Sequence, residues 1–476
     1  MTSNSSKTTP AAIDLSYAGN KSNSQIIEGV PLSLVKVPDK PVKPPSPRAI
    51  TLCKANLHRY GQPRPIIVAD DHTVLEGLEF VLAAREMGWT HINVVRLSGL
   101  SNTDMKILTL WLAKLPHISS WDDEALRYEF QEIISIDSDL IDLTGFSMGE
   151  IDVILDPEAT KETADPLDAL PETPTADEVV SRTGDMFLLG DHKILCGDSQ
   201  KRESFDKLMG TQKARAVITD PPYNIKIKNN VSGLGKTKHD DFAMGVGEMS
   251  FDTFTEFLSL MFVLSSNGLV PGGLMYIFMD RRHLEELFAA ARKAKLKLFD
   301  LAIWDKGSGG MGGMYRSQIE TCGVFKFGDD PHLDNVRLGR DGRNRTNVWT
   351  HRGLSSFGKG RAEALAAHPT IKPVNLLADI IKDCTKRGEI IVDPFAGAGS
   401  TILAAQKTGR RCFCIELEPK YVDVTIHRWE AMTGLQAVHV ASGLTFTELG
   451  TQRRDQESPA VLESVTPAEE DPNVQS

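Results

Sequence analysis

The segment Ile390-Ile391-Val392-Asp393-Pro394-Phe395-Ala396-Gly397-Ala398-Gly399-Ser400-Thr401 is what most restricts the folds open to this 476-residue chain. β-Branched residues give way to small ones and then to Ile402-Leu403-Ala404-Ala405-Gln406, a helical run that stops at Gly409. The pattern predicts a buried strand, a glycine loop and a helix. A second strand pattern, Cys412-Phe413-Cys414-Ile415, runs directly into Glu416, 23 residues after Asp393. This spacing suits a doubly wound α/β unit. Gly397 and Gly399 would let the backbone approach a cofactor closely, and an acid ending the second strand would take both hydroxyls of a ribose. No Lys follows the glycines, which argues against a phosphate-gripping loop.

Upstream, the apolar stretch Ala216-Val217-Ile218-Thr219 stops at Asp220-Pro221-Pro222-Tyr223. This tetrapeptide resembles the active-site turn of enzymes that methylate an exocyclic amine of a DNA base, and the resemblance implies the following chemistry. The lone pair of such an amine is delocalised into the ring, so a site must localise it and aim it at an electrophile. Asp220 can accept one N–H and the Pro221 carbonyl the other. Two prolines stiffen the turn and carry no N–H of their own, which leaves the carbonyl free to face a substrate. Tyr223 offers a flat face on which an extruded base can stack. The plainer reading is a proline-rich turn that ends a strand.

Net charge is −11, which on its face disfavours nucleic acid, but the charge is unevenly placed. From Glu150 to Val180 ten acids face only Lys161, a net of −9, and from Thr451 to Ser476 six acids face Arg453 and Arg454, a net of −4, leaving the remainder at +2. Rich in Pro, Thr and Ala, both stretches read as solvated pieces, the first a linker over 156–182 and the second a disordered tail over 451–476. Ser, Asn, Thr and repeated Pro make 1–46 read as a disordered N-terminal tail. Arg337, Arg340, Arg343, Arg345 and Arg352 lie in a glycine-rich stretch whose only acid, as far as Arg361, is Asp341. With Lys226 and Lys228 they are the candidate DNA contacts, since guanidinium forks suit phosphates and guanine edges. The alternative is a solvated loop of ordinary charge.

No apolar run reaches the roughly 18 residues a membrane helix needs, and the N-terminus does not read as a signal, so a cytoplasmic protein is expected. Four of the six cysteines are isolated, and Cys412 and Cys414 fall inside a strand pattern. Neither a zinc site nor a disulfide framework is expected.

Taken in order, these motifs resemble the β-class DNA amino-methyltransferases, whose catalytic half precedes the cofactor half. The resemblance spans roughly Thr183 to Leu449. It implies a Rossmann-like α/β fold with permuted motif order, S-adenosyl-L-methionine as methyl donor, and duplex DNA as substrate, with room for a homodimer and no need of a metal. Gly190-Asp191-His192-Lys193-Ile194-Leu195-Cys196-Gly197-Asp198-Ser199 resembles the family's opening segment, implying Asp198 beside the cofactor adenine. His368-Pro369-Thr370-Ile371-Lys372-Pro373 resembles the motif at the methionine end, implying cofactor roles for His368, Thr370 and Lys372. The remaining implied cofactor residues are Asp393, Phe395, Gly397, Gly399, Ser400, Thr401 and Glu416, and the implied catalytic residues are Asp220, Pro221, Pro222 and Tyr223. Gly313 to Glu320 resembles a substrate-pocket strand, with Ile319 where a His is usual. Target recognition is expected within 225–250 and 330–362 of a methyltransferase domain at 183–450.

Residues 47–155, from Arg64 onward in particular, resemble the small α+β ParB-like domain fused to some of these enzymes, with a helix from Leu75 to Met87 and another from Thr103. Where such domains carry a basic phosphate contact, Gly77-Leu78-Glu79 presents an acid, which would repel a phosphate. A structural, DNA-positioning or partner-contact role is expected. For the whole chain the expectation is a site-specific adenine-N6 DNA methyltransferase in a restriction–modification setting that flips a base and transfers the methyl in line. Cytosine-N4 methylation, a non-catalytic DNA-binding regulator and protein-glutamine methylation stay open. Cytosine-C5 chemistry does not, because it needs a nucleophilic Cys after a Pro and none of the six is so placed.

Overall fold

The computed structural model describes residues 23–156, 165–171, 174–175, 177–224, 248–309, 314–336, 343–352 and 371–457. The chain divides into two compact units, Met1–Gly145 and Phe146–Ser476.

In the first unit, β1 (Asn23–Pro31), β2 (Ile66–Ala69), β3 (Val74–Glu76) and β4 (His91–Ser98) form a sheet in the order β1-β4-β2-β3. The β2–β4 pair is parallel and the others antiparallel. Helices α1 (Pro47–Tyr60), α2 (Leu78–Glu86), α3 (Asn102–Lys114) and α4 (Asp123–Ile136) complete it. Two sequence expectations are corrected here. Residues 23–46 are structured: β1 pairs along β4, and Val30, Leu32 and Val35 enter the core with Val68, Val81 and Val94. The prolines and serines of that stretch had masked its apolar residues. The helix expected from Leu75 starts at Leu78, because Val74–Glu76 is an edge strand and Gly77 turns the chain at φ 90°. A side chain at Gly77 would also meet Ile66 Cγ2 at 2.7 Å.

The second unit is built on β5 (Met186–Leu189), β6 (His192–Cys196), β7 (Ala214–Thr219), β8 (Leu269–Met279), β9 (Lys297–Asp305), β10 (Ile319–Lys326), β11 (Val348–Thr350), β12 (Ile390–Asp393), β13 (Arg411–Glu416) and β14 (Val438–His439). They form one sheet in the order β11-β9-β10-β8-β7-β12-β13-β6-β5-β14. The central five, β8, β7, β12, β13 and β6, are mutually parallel, and antiparallel partners flank them. Side chains alternate between the faces, as strand pleating requires. Ala216, Ile218, Ile391, Cys412 and Cys414 pack on one face with α9 (Val374–Cys384), α10 (Ser400–Thr408) and α11 (Pro419–Thr433). Val217, Val392, Phe413 and Ile415 pack on the other with α6 (Arg202–Met209), α7 (Phe251–Asn267) and α8 (Leu284–Lys293). The helix after the glycine loop ends at Gly409, left-handed at φ 69°. Cys412 and Cys414 are buried free thiols on one strand face.

Much of the acidic stretch expected to be a solvated linker belongs to this unit, which begins at Phe146 rather than near 183. Helix α5 (Met148–Leu155) carries Asp152, whose carboxylate takes Arg410 Nη1 and Nη2 at 2.9 and 2.7 Å, with both side chains fully buried. Asp165 pairs with Lys407 at 2.7 Å, Asp168 accepts the Val374 N–H at the start of α9 at 2.8 Å, and Val180 lies in the core. The acids of this stretch are thus partly spent on cations and a helix N-terminus. Likewise α12 (Phe446–Glu457) extends into the expected tail, and its Arg453 pairs with Asp185. Among the described residues no helix is long and apolar enough to cross a membrane. Breaking a fully buried ion pair strands the surviving charge, so Asp152→Ala is expected to lose about 3–5 kcal/mol, read as a lower midpoint of urea unfolding.

Candidate active site

β7 and β12 are neighbours, with Ile391 opposite Ala216 and Val392 opposite Val217. From β7 the sheet grows toward β8, and from β12 toward β13. The winding therefore reverses between them, and a crevice opens at the carboxyl ends of strands at such a point. Asp220 follows β7 and Asp393 ends β12, so the two sequence motifs meet at one edge of this crevice.

Thr219 Oγ1 donates to Asp393 Oδ1 at 2.7 Å, and Thr401 Oγ1 to Asp393 Oδ2 at 2.6 Å. The Phe395 N–H donates to the same carboxylate at 3.1 Å. Asp393 is thus a bracket that joins the end of β7, the glycine loop and the first turn of α10. Burial pushes its carboxyl up to about 6, against the pull of those donors. The phenyl ring of Phe395 lies 5.9 Å from that of Phe257, and Ser400 is buried and within 3.4 Å of Arg428 Nη1.

The glycine loop is held from behind. Glu416 Oε2 accepts the Gly397 N–H at 2.7 Å and Oε1 the Glu418 N–H at 2.9 Å. Burial raises Glu416 to about 7, offset in part by those two N–H groups. A carboxylate has about four acceptor positions, so both oxygens keep capacity for a ligand. Gly399 is needed twice over: φ is 78°, and a Cβ there would sit 2.5 Å from Thr425 Cγ2. Asp198 is near this corner, since the Gly197 N–H donates to the Glu416 carbonyl at 2.8 Å, and its own Oδ1 accepts the Gln200 N–H.

On the β7 side the structure gathers a group that the sequence did not assemble. Lys372, expected at the cofactor, is buried, and its ammonium contacts Asp220 Oδ2 and lies 2.8 Å from Glu320 Oε1 on β10. Tyr223 OH contacts Asp220 Oδ1, lies 2.6 Å from Glu320 Oε1 and lies 3.2 Å from Lys372 Nζ. Lys306 Nζ closes the group at 2.7 Å from Glu320 Oε2. Burial opposes ionisation of Glu320 but is overcome by Lys372 and Lys306, which hold it down at about 2. Burial, reinforced by Glu320, raises Asp220 despite Lys372. Burial also works against the charge of Lys372, and the two carboxylates more than compensate, so it stays protonated. Lys306, Thr219 and Thr425 were not picked out as site residues. The signal for Glu320 was its place at the end of the segment that resembles a substrate-pocket strand.

Pro221 is buried, and Asn224, at φ 55°, grips Met249 through its side chain at 2.8 and 3.1 Å. That clasp joins the two described ends of the 225–247 stretch. Lys226, Lys228, Arg337, Arg340, His368 and Thr370 lie outside the described residues, as does part of each span expected to recognise the target. Arg352 is exposed. Two expected DNA contacts are corrected. Arg343 is buried and Arg345 half-buried against α9: Arg343 pairs with Asp383, and Arg345 holds Asp383 at 2.9 Å and Asp379 at 2.7 Å. The sequence stretch is basic because its acids come from a helix that places them 34 to 40 residues downstream. Among the described residues no group of three or more potential metal ligands is present.

The family model described as "DNA methylase" matches residues 214–427, and that of the "ParB-methyltransferase HTH domain" matches 124–183. The chain is similar to the Type II methyltransferase M2.DpnII of Streptococcus pneumoniae, 27% identical over 223 residues, 45% of this chain and 82% of that protein. It is similar to the Type II methyltransferase M.HpaI of Haemophilus parainfluenzae, 23% identical over 51% of this chain and 75% of that one. It is also similar to the DNA adenine methyltransferase YhdJ of Escherichia coli K12, 24% identical over 47% and 79%. The solved M1.HpyAVI–SAM complex aligns with a TM-score of 0.37 and 20% identity, covering 49% of this chain and 97% of that one, too distant a likeness to bear on function.

Because Arg345 neutralises two largely covered acids, Arg345→Ala is expected to lower stability by about 3 kcal/mol, measured as a shift in the urea midpoint.

Proposed function

We propose that this member of the N6/N4 family of DNA methylases, fused to a ParB-methyltransferase HTH domain, transfers a methyl group from S-adenosyl-L-methionine to the N6 amine of adenine in duplex DNA. The observation that carries the reading is the meeting, at one switch point, of Asp220-Pro221-Pro222-Tyr223 with the Asp393-to-Thr401 glycine loop. The residues present fit the methyl donor. Gly399, at φ 78° and packed against Thr425, holds the loop in a turn that other residues would not tolerate, and the Glu416 carboxylate keeps acceptor positions for ribose hydroxyls. When bound, the cofactor supplies an electrophilic methyl on a sulfonium.

The chain's own residues bind, orient and stabilise. Asp220 accepts one N–H of the target amine and the Pro221 carbonyl accepts the other, which turns the lone pair out of the ring plane. Tyr223 stacks on the extruded base. As the nitrogen gains positive charge, Asp220 stabilises it, so that preorganised electrostatics and alignment lower the barrier without a covalent intermediate. Adenine is favoured over cytosine by Asp rather than Ser at position 220 and by the adenine activity in the name of one similar enzyme. Cytosine-N4 transfer at the same site is the second reading, supported by a family that covers both amines. Arg352 is the described arginine left for DNA contact, with Lys226, Lys228, Arg337 and Arg340 proposed alongside it. The ParB-like part is proposed to position DNA.

Asp220→Ala is expected to abolish methylation while leaving cofactor affinity within about threefold, as read by tritiated-methyl incorporation and calorimetry. Nucleosides from DNA of expressing cells are expected to contain N6-methyladenine. Finding only N4-methylcytosine would replace the base assignment. A second outcome concerns pH. Glu416 rises to about 7 in the folded protein, so its ionised form, the one that accepts from ribose, fades as pH falls through 7. Cofactor affinity is expected to weaken from pH 8 to pH 6, and Glu416→Gln to remove that dependence. The raised value also means that Glu416 favours folding most below its unfolded value, near 4, and that this contribution is lost as pH rises through 7.

A further inference from the structure

Asp220 already holds a protonated amine. Lys372 Nζ donates to Oδ2, the carboxylate that the proposed function assigns to the substrate amine, and the inference here rests on that assignment. The side chain is not anchored there by default. Its ammonium also pairs with a second carboxylate, Glu320, at 2.8 Å, and lies 5.0 Å from the Phe278 ring and 5.6 Å from the Tyr223 ring. Two acids, two lysines and one phenol form a closed, charge-balanced group, with Lys306 fixing the far oxygen of Glu320.

A cation on Asp220 conflicts with the chemistry. Methyl transfer places positive charge on the nitrogen that Asp220 grips, and a second cation on the same carboxylate would both repel that charge and draw down the acceptor. An ammonium cannot simply be expelled, since leaving it buried and unpaired is more costly still. Glu320 resolves the conflict because it already touches Lys372, so the charge can move from shared to single custody without leaving a carboxylate. Tyr223 OH lies within reach of both acids and has one proton to give, which can serve Asp220 once the ammonium has gone.

We propose that Lys372 and the substrate amine take turns on Asp220, and that Glu320 is the positioning residue onto which Lys372 withdraws when a base enters. Lys372 is then a surrogate substrate that keeps Asp220 ionised and aligned between turnovers. No bond is made or broken in the exchange. One N–H···O contact replaces another, and every proton stays on its nitrogen.

The test is a rescue. Glu320→Gln removes the destination and leaves Lys372 pinned to Asp220. Removing Lys372 as well, in Lys372→Met/Glu320→Gln, restores the charge balance and frees Asp220. The probe is unmethylated genomic DNA from a methylation-deficient Escherichia coli strain, with tritiated-methyl cofactor. Glu320→Gln is expected to lower kcat about tenfold or more with an unchanged KM for the cofactor, and the double variant to recover most of that loss. Calorimetric cofactor binding checks folding. Should the double variant not bind, Lys372→Gln/Glu320→Gln, which keeps a polar side chain in place, is measured instead. Wild-type kcat in Glu320→Gln, or a double variant no faster than the single, overturns the exchange. Turnover by Asp220→Ala would instead overturn the amine-acceptor reading beneath it, so the two failures are distinguishable.

Discussion

The parallel pairing of β7 with β12 is the contact on which the rest of the catalytic unit depends. These strands lie 170-odd residues apart in the chain, and only their adjacency makes one site of a catalytic turn and a glycine loop. Short apolar strands buried on both faces supply the driving force, because the apolar residues of β7 and β12 pack alternately into the two helical layers. The hydrogen bond from Thr219 to Asp393 then fixes the two loops against each other at the end of the sheet where regular pairing stops. Reversal of the winding at this pair is what opens a crevice there.

From that junction the site divides into two halves with opposite electrostatic character. On the cofactor half, Asp393 and Glu416 are buried with backbone and hydroxyl donors only, and burial raises both. Their bonds serve geometry: they hold glycines in conformations other residues would not tolerate. On the substrate half, Asp220 and Glu320 are matched by Lys372 and Lys306, and the ammoniums keep Glu320 ionised deep in the unit. Neighbouring acids in one crevice are thereby given different protonation behaviour by their partners rather than by their depth.

The acidic segment shows how composition misleads when its partners are remote. Asp152, Asp165 and Asp168 read as solvated charge, yet each has a defined counterpart: Arg410, Lys407 and the first N–H of α9. The same holds in reverse for Arg343 and Arg345, whose basic stretch is neutralised by Asp379 and Asp383. Local charge counts identify excess, and only the fold decides whether that excess faces solvent. Residues 23–46 teach the corresponding lesson for apolar groups. Val30, Leu32 and Val35 are too sparse to register among prolines and serines, but a partner strand gives them a core to enter.

Residue order dictated features that are local and contiguous. The strand, glycine loop and helix at 390–409, the acid ending β13 and the turn after β7 were all legible, because period, β-branching and glycine requirements act over a few residues. The resemblance of Asp220-Pro221-Pro222-Tyr223 to a known catalytic turn rests on four contiguous residues and was legible for the same reason. The tertiary structure decided which distant charges meet. It set Lys372 on Asp220, brought Glu320 and Lys306 into the same group, and paired Arg343 and Arg345 with the acids of α9. The physical reason is that a buried charge is stable only beside an opposite one, and the identity of that neighbour is set by sheet order and register, which no local pattern encodes.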